Sequence, residues 1–116
     1  MVVKRIVTDI GSANVEATKA FYMKVFDLDL AMDLGWIATL STDTPGPAQI
    51  SIMSEGGSGA PIPDMSIEVE NVDQVLAKAQ NHNAEIIYPL TDEPWGVRRF
   101  FLRDPAGKII NVLSHK

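Results

Sequence analysis

An internal repeat constrains the fold of this 116-residue chain more than any other sequence feature. The segment Asn14–Glu16 recurs as Asn71–Asp73, 57 positions later, and both segments have the asparagine cap and early acidic residue typical of a helix N-terminus. The strand segment Ser51-Ile52 recurs as Asn111-Val112 at an offset of 60, and a second strand segment, beginning at Trp36, recurs at 61. The repeat therefore predicts one domain, residues 1–116, built of two halves of about residues 1–57 and 58–116.

The hydrophobic pattern predicts the same order of elements, strand, helix and three strands, in each half. Apolar residues at helical spacing follow both caps, and the first helix is expected to end at about Leu28. The predicted strands are Val2–Ile10, Ala31–Leu34, Trp36–Ser41, Ala48–Ser54, Met65–Val69, Glu85–Tyr88, Val97–Leu102 and Lys108–Leu113. Two βαβββ modules that cannot bury their sheets alone predict an α+β fold with curved mixed sheets around a cleft and helices outside. A ferredoxin-like domain is the alternative, but it has too few strands for this repeat.

Composition excludes several classes of function. The net charge is about −5 and the basic residues are scattered, which argues against a nucleic-acid partner. The absence of cysteine excludes disulfides, thiolate metal sites and a cysteine nucleophile. The apolar runs are far shorter than the roughly 20 residues of a membrane span. Because no signal-peptide pattern follows Met1, the expected location is the cytoplasm and no membrane contact is expected.

The segment Glu93–Val112 carries the most specific motifs. A Trp95-Gly96 turn precedes one strand, and the turn Asp104–Gly107, Asp-Pro-Ala-Gly, joins it to the last strand. Together with Phe21-Tyr22 on the first helix and the repeat, this segment closely resembles the vicinal oxygen chelate superfamily, which includes glyoxalases, bleomycin resistance proteins and extradiol dioxygenases. The resemblance implies a single glyoxalase/bleomycin-resistance-like domain.

The resemblance also implies where a metal ion would bind in metal-dependent relatives. Matching the first and last strand of each half gives Arg5, Ser51, Asp64 and Asn111, with Val7 as the alternative in strand one. One carboxylate, two weak neutral donors and a cation make a poor ligand set for a divalent metal. We therefore expect neither a metal nor another cofactor.

The remaining candidate motifs have ordinary structural interpretations. His82 follows the second helix and His115 lies at the C-terminus, so both are expected to be surface residues far from the cleft. The glycine-rich segment Glu55–Pro63 has no lysine and no following helix, so it is interpreted as the linker between the halves, with folding over a ligand as the alternative. Because neither histidine is placed to act as a base, no catalytic triad is predicted.

Strand alternation assigns side chains to the two faces of the predicted sheets. Residues expected to face the helices are Met65, Ile67, Val69, Phe100, Leu102, Ile110 and Val112. Residues expected to face the cleft are Asp64, Ser66, Glu68, Arg99, Phe101 and Asn111, and the offset of 61 adds Trp36 and Leu40 from the first half. The expected cleft thus combines aromatic walls with few polar groups, which suits a flat or partly apolar organic ligand.

The predicted ligand-binding residues come from both halves. They are Arg5, Trp36, Gln49, Ser51, Asp64, Arg99, Phe101 and Asn111. Arg99 and Asp64 could instead form a structural ion pair, Trp36 could belong to the core or a dimer contact, and Trp95 could only brace its turn.

Three classes of function remain open from the sequence. The leading hypothesis is metal-independent binding or sequestration of a small, partly aromatic or apolar organic molecule. The alternative is a lyase, isomerase or dioxygenase of the same superfamily, using Asp64 as a base or a metal in another register. The third is a structural or regulatory dimer with a vestigial cleft. A homodimer is expected because the open sheet of a small domain needs cover.

Overall fold

A computed structural model describes residues 2–116, and the βαβββ order occurs twice along them. The elements are β1 (Val3–Gly11), α1 (Val15–Phe26), β2 (Asp29–Asp33), β3 (Ile37–Ser41), β4 (Gln49–Met53), β5 (Met65–Val69), α2 (Val72–Asn81), β6 (Glu85–Asp92), β7 (Val97–Arg103) and β8 (Ile109–His115). The α+β class and the two βαβββ modules predicted from the repeat are confirmed.

The chain divides into two compact units. The N-terminal unit is Val7–Ile62, and the C-terminal unit is residues 63–116 together with the chain up to Ile6. The boundary near 62 lies a few residues beyond the expected one, and the first strand contributes residues to both units.

The N-terminal unit orders its strands β2-β3-β4-β1, and α1 packs on one face of them. β1 and β4 are parallel, whereas the pairs β3–β4 and β2–β3 are antiparallel. Val15 of α1 is buried against Ala38, Leu40 and Ile52 of the strands. The helix begins at the predicted cap, where the Asn14 side chain accepts a hydrogen bond from the Ala17 amide at 3.0 Å.

The C-terminal unit orders its strands β5-β8-β7-β6, with α2 on one face. β5 and β8 are parallel, and β7 is antiparallel to both β8 and β6. The buried core consists of Val69, Val72, Phe100, Ile110 and Val112. The Asn71 side chain caps α2 by accepting from the Gln74 amide at 3.1 Å, as the repeat predicts.

Both turns singled out in the sequence have the expected geometry. Gly96 and Gly107 have φ values of 94° and 86°, in the left-handed region that glycine adopts without strain. The Asp104 carboxylate accepts from the Lys108 amide at 2.9 Å, which closes the turn before β8. The Asp104–Gly107 turn joins β7 to β8 and fixes their register, which decides which side chains of the two strands share a face.

Candidate functional site

The candidate site is the face of the C-terminal unit that points away from α2, which we name the distal face. Side chains of β5, β7 and β8 alternate between the two faces, and one set packs in the α2 core. The other set forms the distal face, whose residues include Ser66, Glu68, Arg99, Phe101, Asn111 and His115. The predicted face assignment of Arg99, Phe101 and Asn111 is therefore confirmed.

A buried ion pair occupies one part of the distal face. The Arg99 and Glu93 side chains are only 4% and 2% exposed, and Arg99 Nη2 lies 2.6 Å from Glu93 Oε2. Arg99 Nε donates to the same oxygen at 2.7 Å. The Tyr88 hydroxyl donates to it as well, at 3.1 Å. One carboxylate oxygen thus receives three donors, which stabilise its negative charge where little water is available.

Three aromatic rings surround the guanidinium of this pair. The Arg99 Cζ atom lies 5.1 Å from the ring centre of Tyr88, 4.9 Å from Trp95 and 4.8 Å from Phe101. All three distances fall within the range of cation–π attraction. We name Glu93, Arg99, Tyr88, Trp95 and Phe101 the arginine cage. Because its guanidinium is buried and paired within the cage, Arg99 acts first as a structural element.

A second polar pair lies on the neighbouring strands. Asn111 and Ser66 are register partners in β8 and β5, and Asn111 Nδ2 donates to Ser66 Oγ at 3.0 Å. The Asn111 Oδ1 atom is buried and has no hydrogen-bond partner among residues 2–116. Exchanging the amide oxygen and nitrogen does not remove the problem, because Ser66 Oγ satisfies only one of the two positions. A buried polar atom without a partner costs about 1–3 kcal/mol.

A cluster of three ionisable side chains, Arg5, Glu68 and His115, lies at the end of β8 on the same face. Arg5 Nε donates to Glu68 Oε1 at 2.9 Å, and His115 Nδ1 lies 2.8 Å from Glu68 Oε2. Burial opposes ionisation of Glu68, but the hydrogen bond with His115 and the charge of Arg5 outweigh it, so the pKa of Glu68 lies below its ordinary value. His115 is half-exposed, and its Nδ1 atom makes the contact with Glu68. The expectation that His115 lies far from the candidate site is wrong.

The N-terminal unit has its own polar row on the face away from α1. Asp9, Ser51 and Thr39 are register neighbours on β1, β4 and β3, and all three are buried. The hydroxyls of Ser51 and Thr39 are 2.8 Å apart and share a hydrogen bond. Gln49 is half-buried on the same strand and, by alternation, on the same face as Ser51.

Comparison with known proteins places this chain in a family. The model of the glyoxalase/bleomycin resistance protein/dioxygenase superfamily matches residues 5–112, nearly the whole chain. The chain belongs to this superfamily. The match confirms the resemblance drawn from the Trp-Gly and Asp-Pro-Ala-Gly turns. No curated protein matches the sequence.

Solved structures of the superfamily fold are similar over nearly the full length. A Legionella pneumophila structure described as an NAD-dependent benzaldehyde dehydrogenase has a TM-score of 0.80 at 17% identity, covering 97% of this chain and 100% of that one. A superfamily member from Vibrio splendidus 12B01 gives 0.70 at 12% identity, covering 95% and 97%. A Streptomyces coelicolor methylmalonyl-CoA epimerase bound to 2-nitronate-propionyl-CoA gives 0.73 at 16% identity, covering 98% and 96%. At these identities the likeness shows the fold alone.

The four positions matched to the metal ligands of the superfamily do not suit a divalent cation. Asp64 is the one carboxylate, and its Oδ2 accepts from the Ile109 amide at 2.8 Å, beside the β5–β8 pairing. Arg5 brings a positive charge paired with Glu68, Ser51 shares its hydroxyl with Thr39, and Asn111 bonds to Ser66. Within residues 2–116, no group of three or more histidine, cysteine, aspartate or glutamate residues could hold a metal ion. These four side chains therefore do not suit a divalent metal ion, and we derive no metal-dependent chemistry for this protein.

Two sequence-based expectations about individual side chains need correction. An Arg99–Asp64 ion pair is wrong, because Arg99 pairs with Glu93 whereas Asp64 contacts the backbone. Leu40 does not face away from α1, since it is fully buried in the core beneath that helix. An offset of 61 assigned its face, and one residue of offset reverses the face of a strand side chain. Trp36, assigned by the same offset, precedes β3, and its carbonyl accepts from the Ser54 amide at 2.9 Å.

Sequence reasoning missed Glu93, Tyr88 and Asp9, and it gave Trp95 no role beyond bracing its turn. Glu93, Tyr88 and Trp95 of the arginine cage lie in β6 or the following turn, where alternation along β7 and β8 assigns no contacts. Asp9 escaped attention because strand one was matched at Arg5 and Val7 only, although Asp9 shares their face. A carboxylate beside the Trp-Gly turn, six residues before Arg99, was the available signal for the ion pair.

Residues 2–116 form two helices, the longer of 12 residues. Within residues 2–116, neither is long and apolar enough to cross a membrane.

Proposed function

We propose that this superfamily member binds a small, partly aromatic or apolar organic molecule on the distal face, without a metal ion. The observation that supports binding is the buried amide of Asn111, which keeps one hydrogen-bonding position unused beside Ser66. A ligand hydroxyl or N–H group that reached Asn111 Oδ1 would satisfy it. Since native proteins pair most buried polar atoms, such an atom calls for an explanation, and a bound ligand provides one.

The arginine cage supports the same proposal by making the neighbouring surface rigid. Phe101 is the register partner of Asn111, so the cage adjoins the amide directly across β7 and β8. The Glu93 carboxylate and three rings hold Arg99 in one position, which limits rearrangement when a ligand binds. Small-molecule sites commonly combine apolar walls with a few well-placed polar groups.

The first experiment is a mass-spectrometric search for small molecules retained by the purified protein under native conditions. The proposal predicts a retained compound that contains an aromatic or apolar part and a hydrogen-bond donor. Retention must fall when Asn111 is replaced by alanine. The matched control is Asn81→Ala, which changes an exposed asparagine at the end of α2.

The second candidate function is an enzyme of the same superfamily that transfers a proton, such as an isomerase. The observation in favour is the contact between His115 and Glu68, because a carboxylate that orients one imidazole nitrogen leaves the other available to accept a proton. Some structures with this fold are methylmalonyl-CoA epimerases, so the fold itself is compatible with this candidate. Turnover of a retained compound, abolished by His115→Gln and kept by His82→Gln, is the discriminating result.

A further inference from the structure

The C-terminal unit contains a cavity at the end of α2 that the ligand-binding proposal does not use. Its volume is about 400 Å³, within the range of small-molecule pockets. It is lined by the chain that leaves α2, the start of β6, the end of β7 and the beginning of the Asp104–Gly107 turn, and we name it the helix-end pocket. None of its lining residues belongs to the arginine cage or to the Asn111–Ser66 pair. His82 and the Asp-Pro-Ala-Gly turn, to which the sequence assigned no function, meet here.

Comparison of the two halves of the repeat shows why this pocket is open. Asp27 and Asn83 are the left-handed residues beyond the ends of α1 and α2, with φ values of 55° and 58°. The next residue is Leu28 in the first half and Ala84 in the second. Leu28 is partly buried and packs against the core beneath α1, whereas Ala84 lines the pocket. The smaller side chain therefore leaves open, in the second half, a space that leucine occupies in the first.

Charged side chains distinguish the pocket from the corresponding place in the N-terminal unit. Arg103, at the end of β7, is the register partner of Glu85 in β6. The corresponding residue at the end of β3 is Ser41, which pairs with the first residue of β2 in the same way. Thr42 and Asp104 come next, and each donates its backbone N–H across the turn that follows. A cation and an anion in the second half thus take the places of two hydroxyl side chains in the first.

The two charged groups are held in position without being enclosed. Arg103 Nη1 donates to the Gly107 carbonyl at 3.0 Å, and Arg103 Nε lies 3.5 Å from Glu85 Oε1. The Arg103 and Glu85 side chains are 40% and 63% exposed, so the pair between them contributes little and a ligand carboxylate can displace Glu85. Asp104 Oδ1 accepts from the Lys108 amide at 2.9 Å, and an ionised carboxylate has further acceptor sites.

The chemistry of the lining indicates one class of ligand. An anion without a positive group would be repelled by Glu85 and Asp104, and a cation without a negative group would be repelled by Arg103. The C-terminal end of α2 carries a partial negative charge, which favours a ligand ammonium nearby. Beside these charges lie apolar side chains, those of Ala84, Leu102 and Pro105. A small zwitterion with an apolar substituent is complementary to all three features.

We propose that the helix-end pocket binds a free apolar amino acid, with its carboxylate at Arg103, its ammonium at Asp104 and its side chain against Leu102 and Pro105. The two charged groups of an amino acid are joined through a single carbon atom, which suits a cation and an anion on successive residues of the chain. The proposal is independent of the ligand-binding proposal, because the two sites share no residue.

Titration of nitrogen-15-labelled protein with L-leucine, followed by amide NMR, tests this proposal. We expect saturable shifts of the Ala84, Arg103 and Asp104 amides, with a Kd on the order of 1 mM for a ligand of this size. Leucinamide lacks the carboxylate and N-acetyl-leucine lacks the ammonium. Each analogue should therefore bind about tenfold more weakly than L-leucine.

Two variants and a matched control locate the binding. Ala84→Leu fills the pocket with the side chain that the first half has at Leu28, so the fold is expected to survive while L-leucine binding is lost. Ala77→Leu makes the same change at an exposed position of α2 and should leave binding unchanged. Arg103→Gln should weaken L-leucine about tenfold but leave leucinamide unaffected, because only L-leucine brings a carboxylate. Circular dichroism checks the folding of every variant.

Three results would overturn the proposal. The first is the absence of saturable shifts at these amides in the wild type up to the solubility limit of L-leucine. The second is equal affinity of the wild type for L-leucine and both analogues. The third is unchanged L-leucine affinity in Arg103→Gln, and in Ala84→Leu where that variant is folded. Because none of these measurements depends on Asn111, each result leaves the ligand-binding proposal to its own test.

Discussion

Arg99 and Glu93 form a buried ion pair in which two guanidinium nitrogens contact one carboxylate oxygen, Glu93 Oε2. The pair lies on the distal face, beside the amide of Asn111. Its burial changes the role expected for Arg99. A guanidinium that is 4% exposed and held by a carboxylate and three rings contributes to stability before it contributes to ligand contact.

Removal of one member of this pair should destabilise the fold strongly. Arg99→Ala leaves the Glu93 carboxylate buried without its cation, and breaking a buried pair in this way typically costs about 3–5 kcal/mol. Urea denaturation measures the loss. Arg103→Ala is the control, since Arg103 is 40% exposed and a surface ion pair contributes at most about 1 kcal/mol. Equal losses for the two variants would show that the Arg99–Glu93 pair is not a stabilising unit.

Truncation of a side chain in the core beneath α2 should lower the free energy of unfolding, because this core is well packed. Ile110 is 4% exposed and packs with Phe100 and Val112. Ile110→Ala should lower the free energy of unfolding by about 2–5 kcal/mol, measured by the same denaturation experiment. Asn111→Ala, one residue along β8, should change stability far less, because it also removes an unsatisfied buried oxygen. If Ile110→Ala lowered the free energy of unfolding less than Asn111→Ala does, the assignment of these residues to opposite faces would be contradicted.

The depressed pKa of Glu68 makes stability depend on pH. Because this pKa is lower in the folded state, the unfolded chain binds the proton more tightly, and protonation favours unfolding. The contribution of Glu68 is therefore fully present above its ordinary pKa of about 4.3 and disappears as the pH falls through the lower, folded-state value. Glu68→Gln should flatten the decline of stability in that acidic range. Urea titrations at several pH values measure this decline. If the decline is the same in Glu68→Gln and in the wild type, protonation of Glu68 does not cause it.

The sequence predicted the repeat, both helix caps and the faces of the C-terminal strands for identifiable physical reasons. The caps need only local hydrogen bonds, and the faces of these strands follow from the alternation of side chains along each strand. The offset of 61 predicted the wrong face for Leu40, because successive side chains of a strand point to opposite faces. A single inserted residue is enough to move the predicted position of a side chain from one face of a strand to the other.

Contacts that depend on loops, or on elements distant in the sequence, could not be predicted from strand alternation. Glu93 follows the end of β6, and its contact with Arg99 requires the Trp95-Gly96 turn to bring the chain back along β7. The His115–Glu68 contact requires the parallel pairing of β5 with β8. Alternation assigns a side chain to a face, but it does not identify the neighbour that the side chain meets there.

The donor chemistry of the matched ligand positions predicts folding without a stoichiometric metal. Asp64 is the one carboxylate among them, and it bonds to the Ile109 amide. Elemental analysis of protein purified without a chelator should find no metal near one per chain. The thermal unfolding temperature should be unchanged by a strong chelator. One tightly held zinc, nickel, iron or manganese ion per chain would instead favour an enzyme of the superfamily.

Binding at the distal face is the central claim, and the affinity of Asn111→Ala for the compound retained by the native protein tests it most directly. A hydrogen bond to a neutral group contributes about 0.5–1.5 kcal/mol, so titration calorimetry should find affinity reduced about two- to tenfold. Asn81→Ala should bind as the wild type does, and both variants should remain folded. A retained compound that binds Asn111→Ala and wild-type protein equally would contradict the claim.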